Sequence, residues 1–182
     1  AKGLLPANIV LPRSAGIFPN IKHFGELYGM KAVCIAGVTL IKGICRAVGM
    51  DVLDVKGATG TLETDMVAKA RAALKALKSY DFVYVNVKAS DLCGHDGLAQ
   101  KKVEVIEKID LMVGYIREKM PRDLCFAITA DHSTPITVRD HSGDPVPILI
   151  YGDDVRRDEV KHFDEVSCAK GSLGRIRGME LM

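Results

Sequence analysis

Tryptophan is absent from this 182-residue chain, and aromatic residues make up only 5% of it. The formal net charge is +2, and no long block of lysine or arginine occurs. A nucleic-acid surface, which needs a basic stripe and stacking aromatics, is therefore not indicated. No apolar run approaches the roughly 18 to 20 residues of a membrane span. No basic stretch followed by an apolar segment opens the chain, so no export signal is read. A C-x-x-C pair is also missing. The five cysteines, at 34, 45, 93, 125 and 168, are odd in number and scattered. Cys34, Cys45 and Cys125 fall within apolar stretches, as small core residues do. A reduced, cytoplasmic setting fits this usage. Finally, the chain starts at Ala1 rather than at a methionine, with AKGLLPANIV already half apolar. That start reads as a chain cut or trimmed from something longer.

What is present is an alternation. At 48% hydrophobic and 26% charged, the chain can bury the core of one ordinary domain. Short apolar runs with the brevity of buried strands occur at 31–37 (KAVCIAG), 50–55, 81–89 (DFVYVNVKA), 124–130 (LCFAITA) and 145–152 (PVPILIYG). Between them lie helix-like stretches at 38–49, 61–80 and 95–120. The first turn near Thr61 and Glu63/Thr64 predicts a cap for the second helix. Val103, Ile106, Ile109, Leu111, Val113 and Ile116 recur at helical spacing in the third. Strands alternating with helices predict an α/β domain with a largely parallel sheet flanked by helices.

Ligands of such sheets bind outside the carboxyl ends of the strands. Three candidate strand ends carry ionisable clusters. SDLCGHDG follows the 81–89 strand, with Asp91 and His95 four apart; Asp131-His132 follows LCFAITA; and RDHSGDP, with Asp140, His141 and Asp144, precedes PVPILIYG. Paired ionisable groups at the end of a core strand are costly unless something compensates them. Mixed imidazole and carboxylate donors suit Zn²⁺, Mn²⁺ and similar ions, so a metal is the expected partner of Asp131 and His132. An isolated Asp-His pair is ordinary surface chemistry; three such elements at three strand ends are not. His23 and His162 lack such company and read as surface residues, and Asp110, within the helix, as part of a solvated or capping interaction.

The segments DLCGHDG (91–97), TADHSTP (129–135) and DHSGDPVPI (140–148) resemble the metal-binding motifs of the alkaline phosphatase superfamily. In particular they resemble those of archaeal-type cofactor-independent (2,3-bisphosphoglycerate-independent) phosphoglycerate mutases. The resemblance continues through LPRSAG (11–16), GMKAVCIAG (29–37), LIKGICRAVGMDV (40–52), VKGATGTLETD (55–65) and GSLGRIRGMELM (171–182). It implies an isomerase of glycolysis and gluconeogenesis. That enzyme interconverts 3- and 2-phosphoglycerate through a metal-activated phosphoserine and needs no 2,3-bisphosphoglycerate. It also implies two divalent ions, Mn²⁺ foremost, with Mg²⁺, Co²⁺ or Zn²⁺ as alternatives. Asp91, His95 and His141 match the ligands of one ion; Asp131 and His132 match part of the shell of the other. Lys42 and Arg13 lie in family motifs and are the nominated substrate-binding cations.

The family's nucleophilic serine and a further aspartate have no counterpart here. Ser14, Ser90, Ser133 and Ser142 do not match the nucleophile position. The resemblance therefore implies an incomplete alkaline-phosphatase-like core lacking the N-terminal strand and the inserted domain. Residues 1–182 would be the C-terminal part of the metal-binding domain, inactive alone. An uncovered sheet edge would be closed by the missing N-terminal segment or by another copy of the chain. Leu92 and Cys93 depart from the family's first metal loop, and a thiolate at Cys93 could recruit Zn²⁺. A phosphatase, another phosphomutase, or a non-catalytic metal-binding module would use the same motifs. The GATG turn (57–60), read as a tight turn rather than a phosphate loop, and the GRIRG tail favour the mutase.

Overall fold

The computed structural model describes residues 9–12, 16–17 and 20–182. A short helix α1 (Phe24–Tyr28) leads into β1 (Ala32–Ile35), α2 (Thr39–Ala47), β2 (Asp51–Val52), α3 (Met66–Ala76) and β3 (Phe82–Val85). Then come α4 (Ala89–His95), α5 (Ala99–Lys119), β4 (Phe126–Ile128), β5 (Leu149–Tyr151) and α6 (Glu165–Cys168). A 3₁₀ turn at Gly178–Glu180 closes the chain.

β1, β2 and β3 form a parallel sheet in the order β2-β1-β3, with Val33 opposite Asp51 and Val83. Every residue of the central strand β1 is buried, as expected of a strand covered on both faces. Ala32, Cys34 and Ala36 pack with Cys45 of α2 and with Met50. Alternation turns Val33 and Ile35 to the opposite face, where α3 packs against β1 and β3. Behind α3 lies α5. Small residues on α3 (Ala70, Ala73, Ala76) allow close approach, and the second core cluster joins Met66 and Ala70 to Val105, Met112 and Ile116 of α5.

Several expectations need correction. The cap of α3 is Asp65, whose carboxylate accepts from the Ala68 N–H at 2.8 Å, so the helix starts later than the Thr61 region suggested. On α5 the buried stripe is Val105, Met112 and Ile116, with Ile109 packed beside it, while Val103, Ile106 and Leu111 are exposed. Both sets have near-helical spacing; only the position of α3 decides between them. Cys125 is exposed rather than in the core, because β4 is too short and thinly covered to bury it.

The last two strands do not join the parallel sheet. β4 and β5 form a separate antiparallel pair, with Ala127 opposite Ile150. A parallel return needs a crossover element, and no helix lies between them, so the chain doubles back. Among the described residues no strand pairs with the outer edge of β3 or of β4. The GATG segment is a turn, as read. An added Cβ at Gly37, just after β1, would lie 2.0 Å from the Thr59 carbonyl carbon, so only glycine lets this turn press on the strand end. No helix among the described residues is long and apolar enough to cross a membrane.

Candidate metal centre

SDLCGH is not a loop. After β3 the chain enters α4 directly, and helical spacing places Asp91 and His95 on one face. The other face carries Ala89 and Cys93, both wholly buried. Cys93 therefore packs into the α5 core cluster, and burial pushes its thiol up, which keeps it a protonated bystander rather than a Zn²⁺-recruiting thiolate.

The remaining histidines arrive from the 129–148 segment, which returns alongside α4. Ser133 and Ser142 pair as an antiparallel bridge, the Ser142 N–H donating to the Ser133 carbonyl at 3.1 Å. This bridge sets His132 beside His141, their rings stacked with centroids 3.7 Å apart. Close approach to α4 depends on Gly94, where a Cβ would lie 2.4 Å from the Thr134 carbonyl oxygen.

At the centre stands Asp91. Its Oδ1 is 3.5 Å from His95 Nε2 and 3.6 Å from His141 Nε2, and the two imidazole nitrogens are 3.2 Å apart. His95 Nδ1 lies 3.1 Å from the Arg139 carbonyl, which can only accept. The neutral ring then carries its proton on Nδ1 and directs the Nε2 lone pair at Asp91 and His141. Arg139 is the only positive-φ non-glycine residue among those described, at 56°, a left-handed conformation that costs energy. That strained backbone turns its carbonyl toward His95.

These three groups form a convergent set of acceptors, which a cation would satisfy. The other carboxylate oxygen, Asp91 Oδ2, is paired with the Lys88 ammonium. Burial alone would raise the Asp91 carboxyl, but Lys88 and the Thr134 hydroxyl outweigh it and hold it below the ordinary aspartate range. Asp91 is thus kept ionised, as a metal ligand must be. The nitrogen and oxygen donors fit a divalent ion of the Mn²⁺ or Zn²⁺ kind.

His132 Nε2 sits 3.8 Å from Asp91 Oδ1 and 3.6 Å from Asp131 Oδ2, so Asp131 joins the same cluster from its exposed rim. The resemblance implies two ions; the residues it assigns to them lie in one contiguous group, with the His141 ring between those of His95 and His132. Two sets have donor atoms within 4.8 Å of one another: Asp91, His132 and His141, and also His95, Asp140 and His141. Asp140 was recognised in its motif but not counted as a ligand; its position directly before His141 was the available signal. Thr134, Lys88 and Lys102 were missed as supports, because nothing in their local sequence marks them.

Lys42, one of the nominated substrate cations, is not part of this cluster. Lys42 donates to Asp54 Oδ1 at 2.6 Å, both groups lying at the carboxyl edge of the parallel sheet. Arg13 and Ser14 lie outside the described residues. His23, His162 and Asp110 are exposed, as expected.

The chain matches the family model described as the Metalloenzyme superfamily over residues 4–182. It is 53% identical over all 182 residues to the 2,3-bisphosphoglycerate-independent phosphoglycerate mutase 1 of Methanocaldococcus jannaschii, covering 44% of that protein. It is 51% identical over 177 residues to the corresponding mutase of Methanococcus vannielii, covering 97% of this chain and again 44% of the relative. The chain thus spans less than half the length of these curated relatives. Among solved structures it is similar to the PH0037 protein of Pyrococcus horikoshii, with a TM-score of 0.90 and 48% identity over 93% of this chain and 52% of that one. It is also similar to a cofactor-independent phosphoglycerate mutase of Thermoplasma acidophilum, with a TM-score of 0.64 and 34% identity over 85% of this chain and 35% of that one.

Proposed function

The chain belongs to the Metalloenzyme superfamily, and from that premise we propose that it is the metal-binding part of a cofactor-independent phosphoglycerate mutase. The observation that carries this reading is the convergence of Asp91, His95 and His141, whose donor atoms lie within 3.6 Å of one another. The identity to archaeal mutases supports a phosphoglycerate as the substrate class.

Divalent ions, Mn²⁺ foremost, would neutralise phosphoryl charge there and acidify a serine hydroxyl. Asp91, His95 and His141 would hold one ion, and Asp131 and His132 part of the shell of a second. Asp140 stands as an additional donor beside His95 and His141. The protein groups themselves bind and orient. Lys88 compensates the Asp91 charge, and the Arg139 carbonyl keeps the His95 lone pair aimed inward. Lys42 would leave Asp54 for an anionic substrate, and Arg13 would offer a second cation. No serine among the described residues is assigned the nucleophile role; Ser142, nearest in sequence to His141, donates to Asp144 Oδ2 at 2.7 Å. The nucleophile would come from the part of the parent protein that these 182 residues do not include. That part, or another copy of the chain, would cover the open edge of β3. The 182 residues alone would bind metal without turning over, in the cytoplasm where glycolytic intermediates occur.

The test is a titration of the metal-free chain with Mn²⁺, followed by electron paramagnetic resonance, beside Asp91→Asn. A coupled assay with 3-phosphoglycerate runs on the same samples. Mn²⁺ should bind to the native chain and be lost in the variant, with no turnover in either. Unchanged Mn²⁺ binding in Asp91→Asn would refute the site. Release of inorganic phosphate from 3-phosphoglycerate would favour the phosphatase alternative.

A further inference from the structure

Thr134 is the only buried residue of the described chain beyond Ile116. Its hydroxyl lies 2.8 Å from Asp91 Oδ1 and 3.2 Å from His132 Nδ1. We propose that Thr134 is a positioning residue that fixes the proton of His132 on Nδ1 and ties the two halves of the metal cluster together. The inference rests on the metal reading of that cluster but concerns a protein hydroxyl, which exists with or without the ion.

The argument is one of proton counting. A threonine hydroxyl has one hydrogen and two lone pairs, whereas an ionised carboxylate can only accept. The hydroxyl hydrogen is therefore committed to Asp91 Oδ1. Toward His132 the hydroxyl can offer only a lone pair, so His132 must donate from Nδ1. In the neutral ring this leaves the Nε2 lone pair free, facing Asp131 Oδ2 at 3.6 Å and Asp91 Oδ1 at 3.8 Å. The arrangement parallels that of His95, whose Nδ1 is fixed by the Arg139 carbonyl. Hydrogen bonding of the remote imidazole nitrogen is the usual way a protein orients a metal-binding histidine.

Thr134 is itself held from a second direction. The Lys102 ammonium, reaching across from α5, donates to the Thr134 carbonyl at 2.8 Å. The same carbonyl lies against Gly94, where any side chain would collide. Backbone and hydroxyl are thus both anchored, on α5 and α4 respectively. Because one hydroxyl touches Asp91 and His132, occupation of either half of the cluster must be felt by the other.

The experiment reads ring protons directly. Long-range ¹H–¹⁵N spectra of the metal-free chain, at a pH where the imidazoles are neutral, distinguish Nδ1–H from Nε2–H forms. His132 should hold Nδ1–H in the native chain and in Thr134→Ser, and move toward Nε2–H in Thr134→Val, while His95 stays unchanged in all three. Mn²⁺ affinity should fall about tenfold or more in Thr134→Val and return in Thr134→Ser, in line with the effect of lost outer ligand contacts. A native His132 carrying its proton on Nε2 overturns the proposal, and this reading requires no variant to fold. Unchanged affinity and tautomer in a folded Thr134→Val protein overturn it too. If the native chain bound no Mn²⁺ yet showed the expected tautomers, the metal reading would fall and the positioning role would stand.

Discussion

Two regions of the chain are built on different terms. From Ala32 to Ile116 the molecule has a buried central strand, helices on both sides and two apolar clusters. From Pro121 to Met182 it has one two-stranded sheet, a four-residue helix and turns, with Thr134 its only buried residue. The first region is held by area removed from water, which is non-directional and tolerant of detail. The second is held onto the first by Phe126, which packs against the cluster between α3 and α5, and by a few directional contacts: Lys102 to Thr134, Thr134 to Asp91, and His95 to Arg139. The candidate metal centre lies on this seam. An ion bound there would add its binding free energy to the least covered part of the fold.

The sharpest way to test that contrast is to remove apolar volume from each side. Ile35→Ala, in the fully buried strand, should cost roughly 2–5 kcal/mol in urea denaturation. Val166→Ala, at 71% exposure in the second region, should stay within about 0.5 kcal/mol. Equal losses would mean that the two regions share one core.

Lys69 offers a test by pH. It is wholly buried on α3, its ammonium donating to the Asn86 carbonyl at 2.8 Å, and burial lowers its pKa from 10.5 to about 8. Between those values the unfolded chain binds the extra proton, so stability from this group rises as pH increases through that window. The full span corresponds to roughly 3 kcal/mol. Cys34 opposes it: burial and the neighbouring Cys45 push that thiol from 9.0 to about 12, so its contribution is lost as pH rises through that range. The difference between the native chain and Lys69→Met isolates the lysine. The stability of the native chain relative to Lys69→Met should rise by a few kcal/mol between pH 7.5 and pH 10; a pH-independent difference would mean Lys69 titrates normally.

On the seam, Gly94→Ala should be destabilising by about 1–3 kcal/mol through overpacking against the Thr134 carbonyl. Helix propensity alone would favour alanine by about 1 kcal/mol, so the two accounts differ in sign. Calorimetric titration should also show weaker Mn²⁺ binding. On the seam, a smaller effect than that of Gly94→Ala is expected of Lys102→Met, which frees the Thr134 carbonyl at a cost of roughly 1 kcal/mol and weakens Mn²⁺ a few-fold. A variant that loses stability but keeps full metal affinity would separate the seam from the site.

Much of the first region was legible in the sequence. Short apolar runs marked β1, β2 and β3, most plainly β1, because a strand buried on both faces needs nearly continuous hydrophobic residues. The positions of α2, α3 and α5 followed from the stretches between them. The second region was legible only as segments: LCFAITA and PVPILIYG did become strands, but their pairing did not follow from their composition. For the site, adjacency carried the information. Asp91 with His95, Asp131 with His132, and Asp140 with His141 are recognisable as pairs.

The sequence by itself therefore determined the alternation of elements and the donor types that collect at strand ends, because hydrophobic periodicity and near-neighbour spacing are local properties. Tertiary structure alone decided that α4 supplies Asp91 and His95 from one face, that the Ser133–Ser142 bridge delivers His132 beside His141, and that Thr134 joins them. Those contacts span more than forty residues between Asp91 and Thr134. Their geometry depends on packed surfaces such as Gly94 against the Thr134 carbonyl, where a single methyl group decides how closely two segments approach.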